Sequence, residues 1–242
     1  MMKFEPIHTD LFTQGQDLPA FIVRHIAGVE ENTILVVSSK IVALWKNCVV
    51  PFESAAQKEA LIQAQSTAYL KTSLAWLTIK DGMVMTNAGI DESNANGQLI
   101  LLPSDLYACA EQLRVALKSV WNVSNFGIII TDSMILPLRA GVIGASVGYS
   151  GFRGVKDLRG KADLCGRRLK TTLVDVADSI SAAAALTMGE ADEQCPLCVV
   201  TGAPVAFTGG TDPDEIKYPL KDDLYGPLFK AAKLKTTGEK QK

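Results

Sequence analysis

Four short apolar runs rich in β-branched residues punctuate the chain: Thr33 to Ser38 (TILVVS), Gln98 to Leu102 (QLILL), Gly127 to Thr131 (GIIIT) and Leu197 to Thr201 (LCVVT). Each is bounded by polar or turn-forming residues, so each reads as a buried strand. Between them, Glu53 to Lys71 and Ser104 to Trp121 place apolar residues at mixed helical spacings among Ala, Gln, Lys and Glu, as amphipathic helices do. A third helix is predicted over Val174 to Met188, where Ala177, Ile180, Ala184 and Met188 share a face. Gly189 then offers a left-handed cap, with Glu190 just beyond it. Strands alternating with helices predict an α/β or α+β fold. Glycines at 141, 144, 148, 151 and 154 imply tight turns, close packing, or approach of a ligand to the main chain.

Composition narrows the class. The 242 residues are 48% hydrophobic and 21% charged, enough to bury a core as one large domain or two closely fused lobes, expected over 1–229. Residues 230–242 hold five lysines and little apolar content, and are expected to be a solvated tail. A net charge of −2 provides no overall field for a nucleic acid or an anionic membrane. No apolar run approaches the roughly 20 residues that span a bilayer, and no secretory signal opens the chain, so a cytoplasmic location is expected. Five cysteines, an odd number, suit a reducing compartment rather than a disulfide framework.

Several motifs match the letter of a pattern without its context. Gly144-Ala145-Ser146-Val147-Gly148 fits G-x-S-x-G, but both histidines, His8 and His25, lie upstream of the serine, against the α/β-hydrolase order. Ser146 is therefore expected to be a small residue in a turn. Cys195-Pro196-Leu197-Cys198 runs into a strand instead of opening a helix, so two ordinary buried thiols are expected. Neither GxxxxGK[ST] nor GxGxxG occurs. Acidic residues at element ends carry more information. Asp132 and Ser133 close the strand GIIIT, at the edge where α/β proteins build ligand sites, and Asp91 sits in the polar turn NAGIDESN (Asn87 to Asn94). If Asp91, Asp132 and Glu190 converge, their repulsion calls for a divalent cation, and an all-oxygen set suits magnesium or manganese.

At these residues the sequence resembles the coenzyme F420-0:γ-glutamyl ligase family. The matching segments are VVSSKIV (Val36 to Val42), NAGIDESN, IITDS (Ile129 to Ser133), RAGVIGASVGYSG (Arg139 to Gly151), KDLRGKADLCGRRL (Lys156 to Leu169) and VADSISAAAALTMGE (Val176 to Glu190), spread over roughly Phe4 to Tyr218. The resemblance implies a ligase with its own non-P-loop α/β fold and an intertwined homodimer. Such an enzyme uses GTP to join L-glutamate, through its amine, to a carboxylate of a coenzyme acceptor. It implies divalent metal ligands at Asp91, Asp132, Ser133 (threonine in the family pattern) and Glu190. It also implies nucleotide contacts at Ser38, Ser39, Asn94 and the segment Met188 to Cys195, which includes Gly189 and Ala191. Potassium is a further possible cofactor.

Two departures bear on specificity. The family's TNGRxxRxG is replaced by Ser133-Met134-Ile135-Leu136-Pro137-Leu138-Arg139-Ala140-Gly141, which keeps only the later arginine. Loss of a bidentate arginine from a buried anion site costs on the order of 2 kcal/mol, so an acceptor other than the phosphodiester-bearing deazaflavin, such as a folate, is an alternative. The family's lysine after VVSSKIV is Leu44, so GTP and ATP both stay open, with Lys40 or Lys46 as substitute cations. The expected chemistry converts the acceptor carboxylate to an acyl phosphate that the amine of glutamate attacks, with Arg139, Lys156 or Arg167 as oxyanion donors. Asp157 and Asp163 are expected to form structural ion pairs with the neighbouring arginines. A binding protein without catalysis is the remaining alternative.

Overall fold

A computed structural model describes residues 1–237 of the chain. In chain order the strands are β1 (Lys3–Ile7), β2 (Thr33–Ser38), β3 (Val49–Pro51), β4 (Ala68–Lys71), β5 (Trp76–Lys80), β6 (Met83–Thr86), β7 (Gln98–Ile100), β8 (Phe126–Met134), β9 (Ile143–Ser150), β10 (Val155–Asp157), β11 (Leu173–Asp175), β12 (Leu197–Thr201) and β13 (Lys235–Thr236). The helices are α1 (Leu18–His25), α2 (Ser39–Trp45), α3 (Ala55–Gln65), α4 (Leu106–Trp121), α5 (Val176–Met188) and α6 (Gly226–Ala231). Among the described residues, no helix is long and apolar enough to cross a membrane.

The main sheet has the order β1-β12-β2-β8-β9, with β2 and β8 parallel and every other pair antiparallel. Its central strands are buried on both faces, which is why they read as unbroken apolar runs. Leu35, Val37, Ile128 and Ile130 pack into one core with residues of α1, α2 and α4. Ile34, Val36, Ile129 and Tyr149 face the opposite way into a second core with α5. The period-2 alternation of strand side chains thus divides each strand between two helical layers. The fold is a mixed α/β architecture.

The parallel pair requires a crossover, and here it carries a second small sheet, β4-β5-β6 with β13 at its edge. Asp81 and Gly82 join β5 to β6 with φ of 52° and 81°, as a two-residue hairpin turn requires. This Asp-Gly hairpin is absent from the elements expected on sequence. The helix expected over Glu53 to Lys71 is shorter than its pattern suggests: α3 ends at Gln65 and β4 starts at Ala68. Ser66 stops the helix by donating its hydroxyl to the Ile62 carbonyl, and Ala68 to Lys71 then pair with β5. The tail expected to be solvated is partly built in, since Lys235 and Thr236 pair with Tyr69 and Ala68. Its last residues, 238–242, lie outside the described residues.

The glycine-dense stretch resolves into close backbone packing. Ser146 lies in strand β9, fully buried, and not in a turn. On that strand Gly144 faces α5 and Gly148 faces the start of α4. A Cβ at Gly144 would stand 2.4 Å from Ala185 Cβ, and one at Gly148 2.7 Å from the Leu106 carbonyl carbon. Gly189 ends α5 with φ 85° and ψ 167°, an extended mirror-image conformation rather than the left-handed helical cap expected. A side chain there would also collide with Glu193.

Candidate functional site

The carboxyl ends of the parallel strands β2 and β8 open into a cleft of about 890 Å³. Strand ends of this kind are where open α/β sheets place ligands. Ser38 and Ser39 enter from the β2–α2 junction, Asp132 and Ser133 from the end of β8, and Asp91, Ser93 and Asn94 from the loop before β7. Met188, Gly189, Glu190 and Ala191 enter from the end of α5. All four expected metal ligands, and all the expected nucleotide contacts, therefore line one cavity although more than 150 residues separate the first from the last.

Local backbone geometry aims these groups. Between Ile130 and Thr131 the β8–β9 register shifts, Ile130 facing Gly148 and Thr131 facing Ser146, so that Val147 is an extra residue. Such a bulge bends a strand and re-aims the side chains beyond it, and Asp132 lies two residues past Ile130. On the opposite wall Asn87, Ala88 and Gly89 take positive φ (53°, 54° and 71°). This costly turn is held by the Ala88 N–H donating to Thr78 Oγ1, and the Trp76 N–H donating to Asn87 Oδ1.

The carboxylates have distinct partners. Asp132 Oδ1 accepts from Ser39 Oγ at 2.8 Å. Burial raises the Asp132 pKa; the Ser39 bond and the Ser133 N–H oppose this, while the nearby charge of Asp91 adds to it. For Asp91, burial is outweighed by hydrogen bonds from Lys40 and Ser93, which hold its pKa below the usual carboxylate range. Lys40 Nζ stands 2.7 Å from Asp91 Oδ2, and it also donates to Ser93 Oγ at 2.8 Å and to the Ser93 carbonyl at 3.1 Å. Across the cleft, Ser133 Oγ donates to Glu190 Oε2 at 2.7 Å. The three acids thus share a cavity without meeting at one point: among the described residues no group of three His, Cys, Asp or Glu is arranged to hold a metal ion.

The expected oxyanion donors lie elsewhere. Arg139, Lys156 and Arg167 do not line the cleft. Arg139 sits in the exposed turn between β8 and β9, and Lys156 lines a separate small hollow with Arg153 and Asp157. Arg167 lies in the exposed segment between β10 and β11. Asp163 accepts the backbone N–H of Arg167, and Asp157 pairs with Arg159 instead of Arg167 or Arg168. Of the two substitute lysines, Lys40 lines the cleft, whereas Lys46 lies over the Trp45 ring and donates to Gln112. Cys198 is buried as expected, but Cys195 is half-buried and lines the cleft; all five thiols are free.

Sequence patterns alone miss Asp10, Leu11 and Phe12, which come after β1 along the cleft rim, and the wall formed by Ile135 and Val142. An acid in an irregular segment carries no spacing signal, so Asp10 could be found only by the β1–β12 pairing that brings it there. Among the described residues, six acids (Asp10, Asp91, Asp132, Glu190, Asp192 and Glu193) line the cleft against one cation, Lys40.

Fold and site together define a non-P-loop α/β protein whose ligand cleft is lined by carboxylates and hydroxyls at the ends of a parallel strand pair. The model of the F420-0:gamma-glutamyl ligase family matches residues 6–202, and the chain belongs to this family of amide-forming ligases. It is similar to the coenzyme F420:L-glutamate ligase of Methanopyrus kandleri (32% identical over 220 residues, 83% of this chain and 87% of the relative) and to that of Archaeoglobus fulgidus (33% over 220 residues, 84% and 88%). A shorter, more similar match joins it to the ligase of the same name from Methanococcus maripaludis, 40% identical over 143 residues, covering 59% of this chain and 57% of the relative.

Proposed function

We propose that this chain is a nucleotide-dependent ligase that joins L-glutamate, through its amine, to a carboxylate of a deazaflavin coenzyme by way of an acyl phosphate, the product being a γ-glutamyl amide where that carboxylate is the γ-carboxyl of a glutamate already attached. The observation that carries this reading is the gathering of Ser38, Ser39, Asp91, Asn94, Asp132, Ser133 and Glu190 from distant segments into one cleft. Family membership and the activity for which the relatives are named support this acceptor and this amino acid.

The donor chemistry fits a magnesium or manganese ion. Asp91, Asp132, Ser133 and Glu190 offer only oxygen, and Asp91 already takes a cation, the Lys40 ammonium. When bound, the ion neutralises charge spreading over the transferring phosphoryl group. Asp91, Asp132, Ser133 and Glu190 would hold it in place of their present partners, which are Lys40 for Asp91, Ser39 for Asp132 and each other for Ser133 and Glu190. Ser38, Ser39 and Asn94 would orient GTP or ATP so that an acceptor carboxylate oxygen displaces the nucleoside diphosphate from the terminal phosphorus. The amine of glutamate then attacks the acyl carbon, the C–O bond to phosphate breaks, and inorganic phosphate leaves with the amine's proton passing to solvent. Arg139, Lys156 and Arg167 fall outside the cleft of their own chain, so their part in this chemistry requires the homodimer that we include in the proposal.

A second acceptor class has its own support. Ile135 and Val142 line the cleft, and Leu136 and Leu138 stand exposed beside them. With only Arg139 kept in the segment from Ser133 to Gly141, this apolar wall suits a flat aromatic acceptor that lacks a phosphodiester, such as a folate. The test is incubation of the protein with GTP or ATP, magnesium or manganese, L-glutamate and either F420-0 or a folate, read by mass spectrometry. Gain of one glutamyl residue on F420-0, with release of phosphate, is expected, and Asp132→Asn should abolish both. Glutamylation of the folate alone would transfer the proposal to that acceptor. Absence of product and of phosphate release in every mixture would overturn the ligase reading.

A further inference from the structure

Lys40 is placed where two different demands meet. It sits in the first turn of α2, immediately after the β2 strand that supplies Ser38, and its ammonium closes a ring with Asp91 and Ser93. Ser93 completes the ring by donating both its N–H and its hydroxyl to Asp91. It is the single Lys, Arg or His among the described residues lining a cleft that holds six carboxylates. Leu44, which also lines the cleft, occupies the position where the family pattern has a second lysine.

We propose that Lys40 is an exchangeable stand-in for the divalent cation: it neutralises Asp91 in the ligand-free protein, yields that carboxylate when the metal arrives, and turns its ammonium to the nucleotide phosphates. This inference rests on the metal-binding part of the proposed function and deepens it. The physical basis is competition for one oxygen set. Asp91 Oδ2 is 2.7 Å from Nζ, so a metal ion binding that oxygen must displace the ammonium. The displaced charge is on a flexible four-carbon stem, free to reorient, and the anions that then enter the cleft are phosphates. Lys40 is thus a positioning residue with opposite effects on two ligands. It opposes the bare metal and favours the metal–nucleotide pair.

That opposition sets the test. Binding of Mn²⁺ alone to the purified full-length chain is measured by calorimetry and by the electron paramagnetic resonance of free Mn²⁺, in wild type, Lys40→Met and Lys40→Met/Asp91→Asn. Affinity for a guanine or adenine nucleotide is then measured at saturating Mn²⁺. Lys40→Met is expected to bind Mn²⁺ alone roughly two- to fivefold more tightly than wild type, the scale of a partly exposed ion pair. The same variant should bind nucleotide about tenfold more weakly, and Asp91→Asn should erase the gain in metal affinity. If Lys40→Met leaves Mn²⁺ affinity unchanged or lowers it while wild type binds the ion, the exchange is refuted and the metal site stands. If neither protein binds Mn²⁺, the metal site of the proposed function fails together with the exchange.

Discussion

Gly144→Ala tests whether α5 is seated on β9 as closely as the cleft requires. The added methyl carbon would stand 2.4 Å from Ala185 Cβ, 2.6 Å from the Ser181 carbonyl oxygen and 3.0 Å from Thr131 Oγ1. Carbon atoms in contact prefer about 3.5–4.0 Å, so helix and strand must separate by about 1 Å. Neither of the nearest two atoms is the end of a flexible side chain, which puts the cost toward the top of the overpacking range, about 2–3 kcal/mol. At about 2–4 °C per kcal/mol for a chain of this size, the melting temperature should fall by about 4–12 °C.

The assay is thermal unfolding monitored by circular dichroism, with Gly28→Ala as the control, since a Cβ at Gly28 meets nothing within 4 Å. The same displacement should reach the cleft. Ala185 and Met188 of α5 line it, and Glu190 comes directly after, bonded at 2.7 Å to Ser133. A Gly144→Ala protein that melts with wild type would show that α5 does not sit on β9 at this distance, and the placement of Glu190 beside Ser133 would lose its support.

Two further perturbations probe the supporting structure. Asp178 accepts the Ser146 N–H, and its pKa is raised to about 7 by burial and then by Asp175. The folded chain therefore keeps a proton that the unfolded chain releases near pH 4, so stability falls as pH rises from about 4 to about 7 and levels off above. Asp178→Asn keeps the acceptor and should flatten that fall in urea denaturation run at about pH 5 and about pH 8; an unchanged slope would remove Asp178 as its source. Arg114, 5% exposed, donates to Glu111, to Ser150 and to the Gly209 carbonyl, tying the 207–211 loop to α4. Arg114→Leu should cost about 2 kcal/mol, moderated because Glu111 is half-exposed, and Glu111→Leu in addition should restore part of it. A double variant less stable than the single one would refute the pairing.

The central strands were legible because burial on both faces leaves a mark that is purely local. β12 runs from Leu197 to Thr201, and β2 from Thr33 to Ser38, as their apolar runs indicate. The starts of α4 and α5 fall within two residues of expectation, each with an aspartate cap, Asp105 or Asp175, holding the first turn. The α3–β4 boundary was hidden because Ala68 to Lys71 is made a strand by its partners, β5 and the distant β13, and not by its own spacing. Of the acids of the cleft, Asp132 and Glu190 were legible for a similar reason to the central strands, since each stands at the end of an element that the sequence marks, whereas Asp10 does not. The basic residues were not, because Arg139, Lys156 and Arg167 sit on excursions whose direction depends on pairing far along the chain.

The charges of the molecule are segregated in a way that its net charge of −2 conceals. Seven of its 24 Lys and Arg lie between 153 and 170, against two acids there, while the cleft has six acids and one lysine. A nucleotide carrying several negative charges would be repelled from such a cavity by about 1 kcal/mol for each close pair of charges even in bulk water, and by more where the walls exclude solvent. On the proposed reading, cations must therefore precede the nucleotide or accompany it, because one ammonium cannot offset both the walls and the phosphates. The same charge balance explains why Lys40 is engaged before any ligand arrives. With Asp91 close enough to raise the pKa of Asp132, a cleft without that ammonium would hold two mutually repelling carboxylates.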